Sequence, residues 1–474
     1  MVDAKDPMGL RSEAPLLDAW IRDTETEHSW FQIPGHKGRL DLTGPVVDGD
    51  IPVLPGNHSN RISPSLVVKA EQLAADLWGA DFCRFGVNGS SGSNHAAVMA
   101  VAGPGEKVII SRTLHKSLAV GLVYAGVTPI WVKPEINVNS GLPDYLDPAT
   151  LREALEKHSD AKAVLIGEPS YVGTMSNIPA LAELTHEFNL PLVVDAAWAA
   201  HFGFHPDLPN HPLAEGADIV VTSAHKALPS YSQASMIFAN GKYVDLPRLN
   251  KMFDATQTTS MSGRILASID AARALLKLHG PELLGPVIEA TKKAKQTLKD
   301  NGIGVLDDPN VDPLKLVILL STVGVDGSKV EKDLLKDNID VEMANRDIMI
   351  PMITLADTAE RIDDLINKII ASVNTQRSTP RPIEIAAAFS IEPEVVVTPR
   401  DAFFSKYEVI SATDSVGRVC AEMVCPYPPG VPVLSPGERI TQQALDALFK
   451  ARDYGQTIKF VADPTLQTLK VLPN

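Results

Sequence analysis

The chain has 474 residues, a formal net charge of −15, 45% hydrophobic residues and three cysteines, Cys83, Cys420 and Cys425. An acidic balance disfavours nucleic acid, whose phosphates need a basic surface, and suits a cationic substrate. The sparse cysteines argue against a disulfide scaffold, and the absence of a signal-peptide core or an apolar run of membrane length makes a cytoplasmic protein the expectation.

Residues 1–45 read as an N-terminal arm, with a helix over 14–23 and a tight turn at Ile33-Pro34-Gly35-His36-Lys37-Gly38. Residues 44–65, rich in Pro, Gly, Asn and Ser, form a long irregular connection before a helical period over 65–79. The stretch Phe85-Gly86-Val87-Asn88-Gly89-Ser90-Ser91-Gly92-Ser93-Asn94 reads as a loop opening an apolar helix over 95–101. Such a loop is a ready anion site, because free backbone N–H groups and the helix dipole face the ligand; an ordinary capped loop is the alternative. Strands over 107–111, 128–132, 161–167, 191–195, 218–222 and 235–239 alternate with helices over 115–125, 146–158 and 178–188. This pattern predicts an α/β fold, a mostly parallel sheet covered by helices on both faces, with ligands beyond the carboxyl ends of its strands.

That rule gathers five strand ends on one rim: Ser90-Ser91, Arg112 with His115, Glu168-Pro169-Ser170-Tyr171, Asp195, and Lys226. Asp218-Ile219-Val220-Val221-Thr222-Ser223-Ala224-His225-Lys226 is the most telling, since a lysine rarely follows a buried strand unpaired. Desolvation would make it an amine nucleophile, and the hydroxyl and imidazole beside it could hold a phosphate. Lysine, acid and phosphate loop together suit a Schiff-base lysine for pyridoxal phosphate. Taken singly, each would pass for a solvated turn.

Beyond a polar segment at 256–262, helices are expected over 266–277, 284–300, 329–337 and 358–374, and strands over 313–321 and 349–353. The expected boundaries are 46–270 for the large domain, 271–375 for a smaller α/β domain and 376–474 for a C-terminal domain. His201 and His205 have no third ligand in sight, so no metal is expected.

The motifs Pro34-Gly35-His36-Lys37, Asn88-Gly89-Ser90-Ser91-Gly92, Arg112-x-x-His115-Lys116-Ser117, Asp195-x-x-Trp198, Ser223-x-His225-Lys226, Thr258-Thr259-Ser260, Thr398-Pro399-Arg400-Asp401-Ala402-Phe403 and Tyr427-Pro428-Pro429-Gly430 run through nearly the whole chain. In these the sequence resembles the pyridoxal-phosphate-dependent ornithine/lysine/arginine decarboxylases of fold type I, in their short bacterial form. The wing domain of the long enzymes is lacking, so their decamer is not expected. Short forms often read Asp-Glu-Ala-His where this chain has Asp195-Ala196-Ala197-Trp198; the long lysine enzymes read Asp-x-Ala-Trp.

The resemblance implies an aspartate aminotransferase-like fold, with pyridoxal phosphate bound in the large domain and a decarboxylase C-terminal domain. Lys226 would join the cofactor, Asp195 would pair with its ring nitrogen, and His115 would stack on the ring. Ala197 and Trp198 would pack beside it. Ser90, Ser91, Ser223 and His225 would hold the phosphate, with Thr259 and its neighbours reaching into the other subunit of a homodimer. The implied reaction is decarboxylation of lysine, arginine or ornithine to CO2 and the di- or polyamine, with Lys226 or His225 returning the proton to Cα. Another pyridoxal-phosphate reaction on the same fold, an aminotransferase or a lyase, and a non-catalytic regulatory relative are the alternatives.

Overall fold

The computed structural model describes residues 4–54, 61–137, 140–382, 384–427 and 430–474. Pro428 and Pro429 of the C-terminal motif, 55–60 of the irregular connection and the first three residues of the arm lie outside these.

The central sheet has seven strands: β1 (Phe82–Gly86), β2 (Lys107–Ser111), β3 (Thr128–Val132), β4 (Ala161–Gly167), β5 (Leu192–Asp195), β6 (Ile219–Ser223) and β7 (Ser235–Ala239). Their spatial order is β1-β7-β6-β5-β4-β2-β3. All pairings are parallel except those of β7, which is antiparallel to both β1 and β6. Every residue of β5, β6 and β7 is buried. Near-continuous Val and Ile runs are what a strand covered on both faces requires.

Two helices depart from the expectation. The Gly/Ser stretch is not a loop: a helix begins at Gly89 and runs to Val101. Its serines are helical because their hydroxyls have partners on the sheet, Ser90 with Ser223 and Ser93 with Ser235. The two helices expected over 266–277 and 284–300 are one, Gly263–Asp300, passing through Pro281 and Pro286. An internal proline forfeits a backbone hydrogen bond and crowds the preceding turn. Packing overrides this: Leu276, Gly280, Leu284 and Val287 are all buried. The domain boundary expected at 270 falls inside this helix.

A second sheet is wholly antiparallel, in the order β10-β11-β9-β8. It comprises β8 (Gly304–Leu306), β9 (Val317–Leu319), β10 (Met343–Ala344) and β11 (Ile348–Ile350). The strand expected over 313–321 is shorter because a 3-10 turn takes Leu320–Val323. That expected over 349–353 is Ile348–Ile350, and β8 and β10 carry no strand signal in the sequence. The C-terminal part has two small ribbons, β12 (Glu408–Ser411) with β15 (Thr468–Val471) and β13 (Cys425–Tyr427) with β14 (Thr457–Lys459). With the helix Gln442–Asp453 they enclose a core of their own that includes Ile440, Leu445, Leu448 and Leu469. Among the described residues no helix is long and apolar enough to cross a membrane.

Arg112 corrects the expected rim. It is 1% exposed and turned toward the C-terminal part, where its two terminal nitrogens donate to Glu438 at 2.6 and 3.1 Å and to the Val433 carbonyl at 3.0 Å. The guanidinium lies 4.5 Å from the Trp131 ring centre. Glu438 is 2% exposed and also accepts from the Ser435 N–H. Removing one member leaves an uncompensated buried charge. Arg112→Met and Glu438→Gln are therefore each expected to lower unfolding stability by about 3–5 kcal/mol in urea titrations. The double variant Arg112→Met/Glu438→Leu should lose clearly less than the two added together.

Candidate active site

β5 and β6 are adjacent and parallel, with Asp195 in register with Val221, so their carboxyl ends lie side by side. Asp195 closes β5 and is 6% exposed. One carboxylate oxygen accepts from the Asn94 amide at 2.8 Å, while the other, Oδ1, has no donor in hydrogen-bond geometry among the described residues, the Ala197 N–H near the carboxylate included. Burial raises the Asp195 pKa, against the opposing pull of Lys226 and the Asn94 hydrogen bond. Lys226 sits in the short turn Ala224–Ala227 directly after β6. Its Nζ is 4.1 Å from the Trp198 ring centre. Burial lowers its pKa, moderated by the charges of Asp195 and Glu342.

His115 comes from the loop after β2. That loop presses onto β4 at Gly167, where a Cβ would stand 2.3 Å from the Thr113 carbonyl oxygen, so only glycine fits. The ring caps the helix Lys116–Ala125, with Nδ1 accepting from the Ser117 N–H at 3.3 Å and lying 2.8 Å from the Ser117 hydroxyl. That places the ring proton on Nε2. The Ser117 hydroxyl in turn accepts from the same Asn94 amide at 3.0 Å. Asn94 thus joins Asp195 to His115 through one NH2 group. Burial, and then the charges of Lys226 and Lys116, push the His115 pKa down to about 4, so the ring is neutral at pH 7.

Gly86 at the end of β1 and Ser223 at the end of β6 are both in register with Ser235 of β7. The start of the helix Gly89–Val101 is thereby set beside Ser223, and the Ser90 and Ser223 hydroxyls meet at 2.6 Å. Asn88 gives its amide to the Thr256 carbonyl, leaving the helix start, with Ser90 and Ser91, without a side-chain cap. His225 Nδ1 donates to the Ala234 carbonyl at 2.9 Å. Glu168, expected on the rim, turns back to the Ser176 N–H and hydroxyl; its burial raises the pKa to about 8.

A cavity of about 850 Å³ opens over this rim. His115, Asp195, Ala197, Trp198 and Lys226 line it, together with residues of the small sheet and the C-terminal part. His225, Ser90, Ser91 and Ser223 do not, and Thr259 is exposed outside it. Three carboxylates to which sequence reasoning assigns no role face the cavity: Glu342, Asp347 and Glu384. Asp347 is paired with Arg346 and Arg381, and Glu384 with Lys450 and the Tyr454 hydroxyl. Glu342 accepts from the Tyr171 hydroxyl at 3.2 Å and makes no ion pair among the described residues, though its charge acts on Lys226 and Lys315. Asn94 escapes sequence reasoning because its Gly/Ser surroundings read as a loop, and Glu342 because a two-residue strand carries no periodicity.

A family model described as Orn/Lys/Arg decarboxylase, major domain, matches residues 62–309, and one described as Orn/Lys/Arg decarboxylase, C-terminal domain, matches residues 383–457. The arginine decarboxylase of Bacillus subtilis is 32% identical over 97% of this chain and 98% of its own length. Lysine decarboxylase A from Pseudomonas aeruginosa superposes with a TM-score of 0.82 at 18% identity, covering 98% of this chain and 81% of that one. A structure of SPT with PLP superposes at a TM-score of 0.56 and 15% identity, over 78% of this chain and 86% of that one.

The depressed His115 pKa has a consequence for stability. Below the ordinary imidazole pKa of about 6.5 the unfolded chain takes up a proton, while the native ring stays neutral down to about pH 4. Native stability from this group is therefore lost as pH falls through that window. In urea titrations at pH 7 and pH 4.5, His115→Gln is expected to show a shallower acid loss than the wild type, the difference cut by solvent screening of this exposed ring to about 1 kcal/mol.

Proposed function

This chain belongs to the Orn/Lys/Arg decarboxylase family and decarboxylates a basic amino acid; we propose that it does so with pyridoxal phosphate held at the Asp195–Lys226 rim, and that Glu342 receives the substrate's distal cation. The observation that carries the cofactor assignment is the orphaned Asp195 Oδ1. A buried carboxylate oxygen without a donor is costly, and a protonated ring nitrogen is a donor that fits it. The uncapped helix start at Gly89, with the paired hydroxyls of Ser90 and Ser223, suits the phosphate.

When bound, pyridoxal phosphate supplies the sink for the electron pair left as the Cα–carboxylate bond breaks. Asp195 keeps a proton on the ring nitrogen, and Asn94 holds that carboxylate in place through its other oxygen. Neutral His115, its Nε2–H fixed by the Ser117 hydrogen bonds, covers the ring without adding charge. Lys226, desolvated against Trp198, has its pKa lowered by burial, which suits an amine that must give and take a proton. It is the better proton donor to Cα, since His225 commits Nδ1 to Ala234 and does not line the cavity.

The unpaired carboxylate of Glu342 is suited to an ammonium or guanidinium group, and the acidic chain favours such substrates throughout. A homodimer belongs to the same proposal: Thr258, Thr259 and Ser260 are exposed and outside the cavity, as residues serving a second copy's site would be.

The holoenzyme, offered lysine, ornithine and arginine separately, should release CO2 and one matching amine by mass spectrometry. Lys226→Ala should abolish it; no amine from any of the three overturns the reading. Glu342→Gln should raise KM for that amino acid by roughly 10- to 100-fold with a smaller effect on kcat, as loss of one charge-assisted contact dictates.

A further inference from the structure

A second lysine stands against the same tryptophan. Lys315 precedes β9 and is 8% exposed. Its Nζ lies 3.9 Å from the Trp198 ring centre, where Lys226 Nζ lies at 4.1 Å, and 5.3 Å from that of Tyr171. The contact is built in: Gly173, at φ +88°, would place a Cβ 2.6 Å from the Lys315 side chain, so the backbone there closes onto the lysine's stem.

Lys315 has no hydrogen-bond acceptor or ion-pair partner among the described residues. Asp312, the nearest acid in sequence, accepts from the Leu314 N–H at 3.0 Å and pairs with His201 at 3.3 Å. An ammonium set against two aromatic rings, with its nearby carboxylates beyond hydrogen-bond reach, has its charge satisfied only in part and none of its three N–H donors. Burial draws its pKa down to about 8, with Lys226 acting in the same direction and Asp312 and Glu342 opposing. Lys315 lines a side chamber of about 30 Å³ together with Pro169, Trp198 and Lys226 among others. Pro169, Trp198 and Lys226 also line the main cavity, so the chamber adjoins it where the substrate's α-amine must meet Lys226.

Resting on the proposed reaction, we infer that Lys315 is the receptor for the substrate's α-carboxylate, positioning it in this chamber while Glu342 holds the distal cation. The two charged ends of one amino acid then meet two charges of opposite sign that make no ion pair among the described residues. A cation on the departing carboxylate favours the ground state over a transition state in which that charge is leaving. Lys315 therefore acts on binding and orientation more than on the chemical step.

The test uses ligands that lack an α-amine and cannot turn over. The holoenzyme is titrated calorimetrically with 6-aminohexanoate, 5-aminopentanoate and 5-guanidinopentanoate, and with their respective partners 1-aminopentane, 1-aminobutane and butylguanidine, which carry no carboxylate. Lys315→Met is expected to weaken binding of whichever carboxylate the wild type takes by roughly tenfold or more, and to leave its carboxylate-free partner within about twofold. Lys315→Arg keeps the cation and should retain most of the affinity. No wild-type binding of any of the three carboxylates, equal loss for both members of a pair, or no loss for either member overturns the assignment. Because none of these readouts needs turnover, a wild type that binds the carboxylate yet releases no amine would fail the decarboxylation reading alone.

Discussion

Everything at this site follows from holding an acid and an amine out of water at the ends of two adjacent buried strands. Asp195 and Lys226 are neighbours because β5 and β6 are. Burial pushes the carboxylate pKa up and the lysine pKa down, and each charge restrains the shift of the other. Environments that drive two titratable groups in opposite directions are what acid–base chemistry near neutral pH requires. The rest of the rim serves that pair. Asn94 fixes one carboxylate oxygen, leaves the other open and ties His115 into the same network through Ser117. A neutral ring and a desolvated amine can then stand close together with little electrostatic penalty.

The pair was legible in the sequence because a short Val/Ile run ending in a polar residue marks a strand end, and parallel sheets place ligands there. The same signature misplaced Arg112. It too follows a β-branched run, but its partner Glu438 is 326 positions away, and no local pattern distinguishes a rim residue from one reaching into another domain. The helix start was misjudged for a related reason: Gly and Ser read as loop formers until their hydroxyls find partners on neighbouring strands. The continuous helix Gly263–Asp300 contradicts its own prolines because packing on both sides outweighs the local penalty. Glu342 and Lys315 were illegible altogether. They flank strands of two and three residues, too short to show a period, and their meaning depends on Trp198 for Lys315 and on Tyr171 for Glu342, each more than a hundred residues earlier.

The cavity is shared labour. The large sheet contributes the acid, the lysine and the neutral imidazole. The small sheet contributes Glu342 and the C-terminal part Tyr427, Lys450 and Tyr454. Of the four carboxylates that line the cavity among the described residues, Asp195 belongs to the rim and Asp347 and Glu384 are neutralised by neighbouring cations, so its negative character away from the rim is concentrated at Glu342. A site organised in this way discriminates by the position of one charge more than by overall field.

The Arg112–Glu438 pair joins the first and last thirds of the chain without exposing either charge. Neither residue has a tolerable single replacement, since each change strands the other in a dry junction. Drift at this seam must pass through paired substitutions, which are rare, whereas the exposed ion pairs elsewhere on the surface can be lost one at a time. The contact between the sheet and the C-terminal part should accordingly be among the slowest-changing surfaces of the molecule, although it touches no ligand.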